Sequence, residues 1–279
     1  MTHLPGMPSL QKMTDKATQL GAILAAIGPA AIAVSGGVDS MTLAHLAHQV
    51  LGPAALMLHA VSPAVPAAAS ARVRAHGRAH GWQLQVIEAG EFADKDYLKN
   101  PVNRCYFCKN NLYDRISQIA GERIILSGAN LDDLGDYRPG LTAADEHQVR
   151  HPYIEAGISK AELRAIARAL GLDDIAELPA QPCLASRVET GIAISSDDLN
   201  FIELLEGQLQ ALLGPVTLRC RITKSGVRVE LAADARRVAA MAEVAALVDG
   251  LCRDAGRIFG GLHDYRRGSA FIQPPAGQV

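Results

Sequence analysis

The segment Ser35-Gly36-Gly37-Val38-Asp39-Ser40 follows a short apolar run, Ala31–Val34, and opens a stretch patterned as a helix over about Ser40–Leu51. A strand that feeds a glycine turn and then a helix is the first half of a β-α-β unit. It commits the chain to a sheet with helices packed on its faces. The two glycines permit a sharp turn and close approach of the backbone to a ligand. The first helical N–H groups and the helix dipole then face an anion. Ser35 and Ser40 add hydroxyl donors, and Asp39 can hold Mg²⁺ against phosphate oxygens. No lysine follows the last glycine, so this is not the Walker pattern. A bare Gly-Gly would be only a strand-to-helix turn. Here six residues and both flanks fit a phosphate loop.

The rhythm recurs along the chain. Leu10, Met13, Ala17, Leu20, Leu24 and Ile27 make one helical face. Strands are predicted over 55–60, 83–88 and 123–127, with helices over 66–80 and 106–120. This alternation predicts an α/β fold with a doubly wound parallel sheet, which binds ligands beyond the carboxyl ends of its strands. Residues 1–8, with Pro5, Gly6 and Pro8, read as a loose tail, and 129–158 read as a long, polar, ordered loop. Ser159 and Glu162 form a capping box for a helix with Leu163, Ile166 and Leu170 on its apolar face, stopped at Gly171. Residues 173–194 read as irregular. A composition change near Ser195 predicts two domains, 1–194 and a smaller α+β domain over 195–279. In the second, helices are expected over 197–213 and 232–248. Strands are expected over 216–222 and 227–231 and near Ile258 and Phe271.

Charge narrows the function. Lys plus Arg number 27 and Asp plus Glu 29, so the net charge is −2 and no dominant nucleic-acid surface is expected. The most apolar stretch, Gly21–Val34, is interrupted by Gly28 and Pro29 and is too short to span a bilayer. With a polar start and no cleavage pattern, a cytoplasmic protein is expected, with reduced thiols and no membrane partner. Its five cysteines (Cys105, Cys108, Cys183, Cys220, Cys252) are then ligands, reactive thiols or core residues rather than a disulfide framework.

A second loop, Gly128-Ala129-Asn130-Leu131-Asp132-Asp133, follows the strand ending at Ser127 and sets carboxylates beyond a strand end; the plainer alternative is a solvated acidic turn. Cys105-Tyr106-Phe107-Cys108-Lys109 is a C-x-x-C at a helix start, suited to one metal or to a redox pair. A second C-x-x-C is absent, which disfavours a zinc ribbon. Cys183 adds a third thiol in an irregular segment, and three thiolates suit an iron–sulfur cluster with one open iron. Cys220 alternates with Val216, Leu218 and Ile222 and reads as a core residue, as does Cys252.

The phosphate loop resembles the PP-loop of ATP pyrophosphatases, which cleave ATP between its α and β phosphates. More narrowly, the chain resembles the LarE-type ATP-dependent sulfur transferases of nickel-pincer nucleotide cofactor biosynthesis. The resemblance runs from about Ser35 to Ser269. It rests on SGGVDS (35–40), NPVNRCYFCKNNLY (100–113), GANLDDLGDYRPG (128–140), EAGISKAELRAIARALGL (155–172), PCLASR (182–187) and the trio Arg219, Arg221 and Glu230. It implies that ATP and Mg²⁺ adenylate a carboxylate of pyridinium-3,5-dicarboxylate mononucleotide. A sulfur nucleophile then makes the thiocarboxylate and displaces AMP.

Gly128 and Asp133 then join Ser35–Ser40 around ATP, with Asp39 both metal-holding and catalytic. In one branch of the family a single cysteine at the position of Cys183 is sacrificed. The presence of Cys105, Cys108 and Cys183 together resembles the other branch, in which the three hold a [4Fe–4S] cluster carrying an extra sulfide from a donor. The family also implies a homo-oligomer. The small nucleotide substrate needs cations. Arg219 and Arg221 alternate with the apolar set and are expected on the polar face of their strand, able with Arg138 and Arg187 to grip phosphate, unless they are solvated surface groups. The rival readings are a tRNA thiolation enzyme, an amidating synthetase, and a nucleotide-binding sensor without turnover. The first lacks a basic surface for RNA and the second leaves the cysteines unexplained.

Overall fold

The computed structural model describes residues 10–135, 139–233, 235, 241–266 and 268–270. The chain forms two compact units. The first runs to Ser62 and takes in Ala67–Glu91 and Cys105–Gln181; the second takes in Pro63–Pro66, Phe92–Arg104 and the chain from Pro182 onward. The sequence reading put a change of unit near Ser195, whereas Pro182–Ile194 lies with the second unit.

In the first unit, α1 (Leu10–Ile27) leads into β1 (Ala30–Ala33), α2 (Val38–Leu51) and β2 (Ala55–Ala60). Then come α3 (Ala67–Ala79) and β3 (Gln83–Ile87). The short helix α4 (Lys95–Leu98) belongs to the second unit. The first resumes with α5 (Arg104–Ala120), β4 (Ile124–Leu126), α6 (Pro139–Glu146), α7 (Pro152–Glu155), α8 (Lys160–Ala169) and α9 (Asp173–Ala176). The four strands are all parallel, in the order β3-β2-β1-β4. The chain therefore steps outward from β1 through β2 to β3, then returns to β1's other side with β4. That places a topological switch point between β1 and β4, as in Rossmann-like α/β folds.

Side chains on successive strand residues point to opposite faces. Ile32 and Met57 pack with Leu20, Leu24, Met41, Leu43, Leu163 and Ile166 of α1, α2 and α8. Ala31 and Leu58 pack on the other face with Leu112, Tyr113 and Ile116 of α5. The sheet is thus covered on both sides, as its near-continuous apolar strands require.

The second unit carries α10 (Ser196–Leu213), β5 (Leu218–Thr223), β6 (Gly226–Leu231), α11 (Met241–Asp254) and β7 (Phe259–Asp264). Its mixed sheet is ordered β5-β6-β7, with β5 antiparallel and β7 parallel to β6. Ser195 caps α10 by accepting from the Asp198 N–H at 3.1 Å. Cys220 and Cys252 are fully buried in this unit, as expected of core residues.

The segment predicted as one long loop, 129–158, instead contains a 3₁₀ turn at Leu131–Gly135 and the helices α6 and α7. Each of these helices begins at a proline, whose fixed φ suits the first helical position. The helix expected over 232–248 is observed as Met241–Asp254, and the strand expected near Phe271 and the tail 1–8 lie outside the described residues. No helix among the described residues is long and apolar enough to cross a membrane.

Candidate active site

The switch point gathers the two loops that the sequence singled out. Gly37 caps α2 with no side-chain hydrogen bond, so the first-turn N–H groups of Val38, Asp39 and Ser40 have no side-chain acceptor at the cap. The turn is held from behind. Ser40 Oγ accepts from the Ser35 N–H at 3.0 Å and lies 3.0 Å from Ser35 Oγ. Arg72 on α3 donates to the Gly36 carbonyl at 2.6 Å. His59, buried at the end of β2, donates from Nδ1 to the Val34 carbonyl at 2.7 Å, and its Nε2 accepts from Ser70 Oγ at 2.9 Å. Burial, above all, lowers the His59 pKa, which suits a neutral ring with one donor and one acceptor nitrogen.

Two glycines are sterically required here. Gly36 has φ +85°, and a Cβ there would lie 2.8 Å from the Ala69 carbonyl oxygen. A Cβ on Gly128 would lie 2.9 Å from both Asp39 C and Ser40 N. Only glycine lets the loop after β4 rest against the start of α2.

Asp39 is the most heavily engaged residue of the loop. Lys160 Nζ lies 2.6 Å from its Oδ1 and 2.5 Å from its Oδ2, and Asn130 Nδ2 lies 3.4 Å from Oδ1. Tyr153, fully buried, donates its hydroxyl to the Asp39 carbonyl at 3.0 Å, and burial raises its pKa well above the ordinary tyrosine value. A carboxylate offers about four lone-pair sites, so Asp39 keeps acceptor capacity for a cation beside Lys160. Asp133 turns back on its own loop and accepts from the Asn130 N–H at 3.0 Å; Asp132 accepts from the Lys160 N–H at 3.3 Å. The second loop thus organises itself and the start of α8. Lys160 and Tyr153 were given no role in the sequence reading, and Asn130 appeared there only as part of the second loop. The available signal was Lys160 at the first position of α8, where a cation opposes the helix dipole.

Cys105 and Cys108 occupy the first turn of α5, spaced i,i+3 on neighbouring positions of one face, and both are half-buried. The start of α6 closes on this turn: a Cβ on Gly140 would lie 3.0 Å from Lys109 Cγ.

In the second unit, half-buried Cys183 caps the 3₁₀ turn Leu184–Arg187. Arg187 folds back beneath it, donating from Nη1 to the carbonyls of Pro182 at 2.6 Å and Cys183 at 3.1 Å. Its Nε and Nη2 meet the two carboxylate oxygens of Glu206, both at 3.1 Å. Glu206 Oε1 also accepts from the Cys220 N–H at 2.9 Å. Arg221 donates to Glu230 Oε2 from Nε at 3.0 Å and Nη2 at 2.9 Å, and from Nη1 to the Ser186 carbonyl at 3.1 Å.

Arg187 and Arg221 are therefore buried ion-pair members, whereas alternation placed Arg221 on the open polar face of its strand. The turn carrying Cys183 lies against the side of β5 that the pattern left polar, where Arg221 reaches the Ser186 carbonyl, and Val188 just after it pairs with Ile222 at the strand edge. Arg219 stays half-buried with its guanidinium 5.9 Å from the Tyr265 ring centre. Burial first, then the charge of Arg187, lowers its pKa. Arg138 lies outside the described residues.

An all-parallel sheet with a glycine turn at its switch point and a lysine–aspartate pair at the start of the following helix is the arrangement of a Rossmann-like α/β fold, whose ligands lie beyond the carboxyl ends of the strands. No family model matches the chain. It is 40% identical over 205 residues to the uncharacterized protein slr1717 of Synechocystis sp., covering 72% of this chain and 76% of that one. It is 30% identical over 222 residues to the pyridinium-3,5-bisthiocarboxylic acid mononucleotide synthase of Lactiplantibacillus plantarum, covering 78% and 79% of the two chains. The protein belongs to this LarE-like family.

Proposed function

We propose that this protein is an ATP-dependent sulfur transferase that converts a carboxylate of pyridinium-3,5-dicarboxylate mononucleotide to a thiocarboxylate. The carrying observation is the contact of Gly128 with the backbone of Asp39 and Ser40. It joins two strand-end loops at one anion-facing helix start, in a chain of the LarE-like family.

The reaction needs two bond exchanges. A substrate carboxylate oxygen attacks the α-phosphorus of ATP, the bond to the bridging oxygen breaks, and pyrophosphate leaves. A sulfur nucleophile then attacks the acyl carbon, and the bond to AMP breaks. The Ser35–Ser40 turn supplies N–H and hydroxyl donors to the phosphates. Asp39, oriented by Lys160 and Asn130, would hold Mg²⁺. Arg219, which is half-buried where Arg187 and Arg221 are buried, would meet the substrate's phosphate. Arg187 and Arg221 set the backbone around Cys183 and are positioning residues.

On this reading Cys105, Cys108 and Cys183 would hold a [4Fe–4S] cluster: all three are half-buried thiols, the donor type such a cluster takes, and two of them lie at one helix start. When bound, such a cluster supplies the sulfur nucleophile. Iron and acid-labile sulfide in anaerobically purified protein, wild type against Cys183→Ala, test that assignment; iron-free wild type would leave Cys183 as the donor itself.

The function is tested by following AMP and pyrophosphate with ATP and the mononucleotide. Both are expected only when the mononucleotide is present. Formation driven instead by tRNA, or no formation with either, would overturn the reading.

A further inference from the structure

Away from the phosphate loop, the first unit holds a second group of chemistry-bearing side chains. His45 lies midway along α2, His76 in the last turn of α3, and His80 just past its end. His76 and His80 are spaced i,i+4, which sets both rings on one side of the helix end. One ligating nitrogen from each of the three rings lies within 4.8 Å of the others. The His45 and His80 ring centres are 4.4 Å apart, and those of His45 and His76 5.2 Å.

The tautomers are arranged for metal. Asp174 of α9 accepts from His76 Nε2 at 2.7 Å, which fixes the proton on Nε2. The His76 Nδ1 lone pair is then aimed at His45 Nε2, 2.9 Å away. A carboxylate behind a histidine is the usual support of a metal-bound imidazole. In the absence of metal the two nitrogens share one proton in a hydrogen bond. With metal, each would present a lone pair, and the two rings would part by a few tenths of an ångström to take a tetrahedral ion at about 2.0–2.1 Å from each nitrogen. His45 is buried, and burial, followed by His80 and His76, lowers its pKa to about 3. Trp82 closes one side, its ring centre 4.8 Å from His45.

We propose that His45, His76 and His80 form a binding site for a borderline divalent cation, zinc foremost, with three imidazole ligands and one open position. Imidazole donors favour zinc, nickel and copper over magnesium or calcium. The site ties α2 to α3 and, through Asp174, to α9. It is separate from the phosphate loop, which precedes α2, whereas His45 lies midway along that helix.

Trp82 is the single tryptophan of the chain and a built-in reporter. Cobalt(II), which takes zinc sites and quenches indole emission, is titrated against Trp82 fluorescence, and zinc is then added. Saturable quenching at one equivalent, reversed by zinc, is expected. His80→Gln, at an exposed position that leaves the core intact, should weaken cobalt binding at least tenfold. Asp174→Asn should weaken it about tenfold to a hundredfold. The chain with Cys105, Cys108 and Cys183 all changed to serine should quench as wild type does. Absence of quenching, equal affinity in His80→Gln, or loss of quenching in the serine chain would overturn the site. None of these readouts involves sulfur transfer, so failure here is distinct from failure of the proposed activity.

Discussion

The Lys160 ammonium lies within 2.6 Å of both carboxylate oxygens of Asp39, although 121 residues separate the two. Lys160 is the first residue of α8, where its charge works against the helix dipole. Its compensation is the pairing across to α2. Lys160→Met should therefore leave the thermal midpoint near that of wild type and lower pyrophosphate release on the order of a hundredfold. Steady-state release with saturating ATP checks this; wild-type turnover in the variant would remove Lys160 from the site.

Gly128→Ala tests the junction of the loops. The added Cβ meets backbone on α2, which cannot move aside as a flexible side chain would. The expected destabilisation is about 1–3 kcal/mol, with weaker ATP binding. Urea unfolding and nucleotide affinity measure the two effects. A Gly135→Ala control, whose Cβ meets nothing within 4 Å, should show neither.

The buried pair Arg187–Glu206 predicts an asymmetry. Arg187→Met leaves Glu206 charged and buried and should cost about 3–5 kcal/mol in urea unfolding. Arg187→Met with Glu206→Leu should recover much of that loss. Sulfur transfer should fall in both variants, because the Cys183 carbonyl has lost its clamp.

His59 predicts a pH dependence. Its pKa is lowered in the folded state by burial, so the unfolded chain takes up the proton first. Its contribution to stability is full above the unfolded value of about 6.5 and declines as pH falls below it. His45 and His151 are lowered as well, so they share that sign. Unfolding free energies measured at a series of pH values from neutral downward should drop, and His59→Gln should flatten part of the slope. An unchanged slope in His59→Gln would show that the ring is not held neutral against Val34.

Much of the first unit was legible because its signals are local. The strand over 55–60 is Ala55–Ala60 as predicted, and the capping box of Ser159 and Glu162 closes with both bonds in place. The glycine turn was legible because strand, turn and helix are contiguous. Lys160 was not, because its partner is distant in sequence and its own helix gives it no use. Arg221 was misplaced because alternation reports only one covered face, and the turn over Leu184–Arg187 covers the other. The helices α6 and α7 were hidden by their shortness: neither spans enough turns to show an apolar period, and only their leading prolines mark them.

The most direct test of the central claim is the mass of the product formed from pyridinium-3,5-dicarboxylate mononucleotide with ATP, Mg²⁺ and anaerobically purified protein. A product heavier by the difference between one sulfur and one oxygen, with one AMP formed for each, is the predicted result. Mononucleotide recovered unchanged while AMP accumulates, or a product carrying nitrogen in place of oxygen, would contradict it.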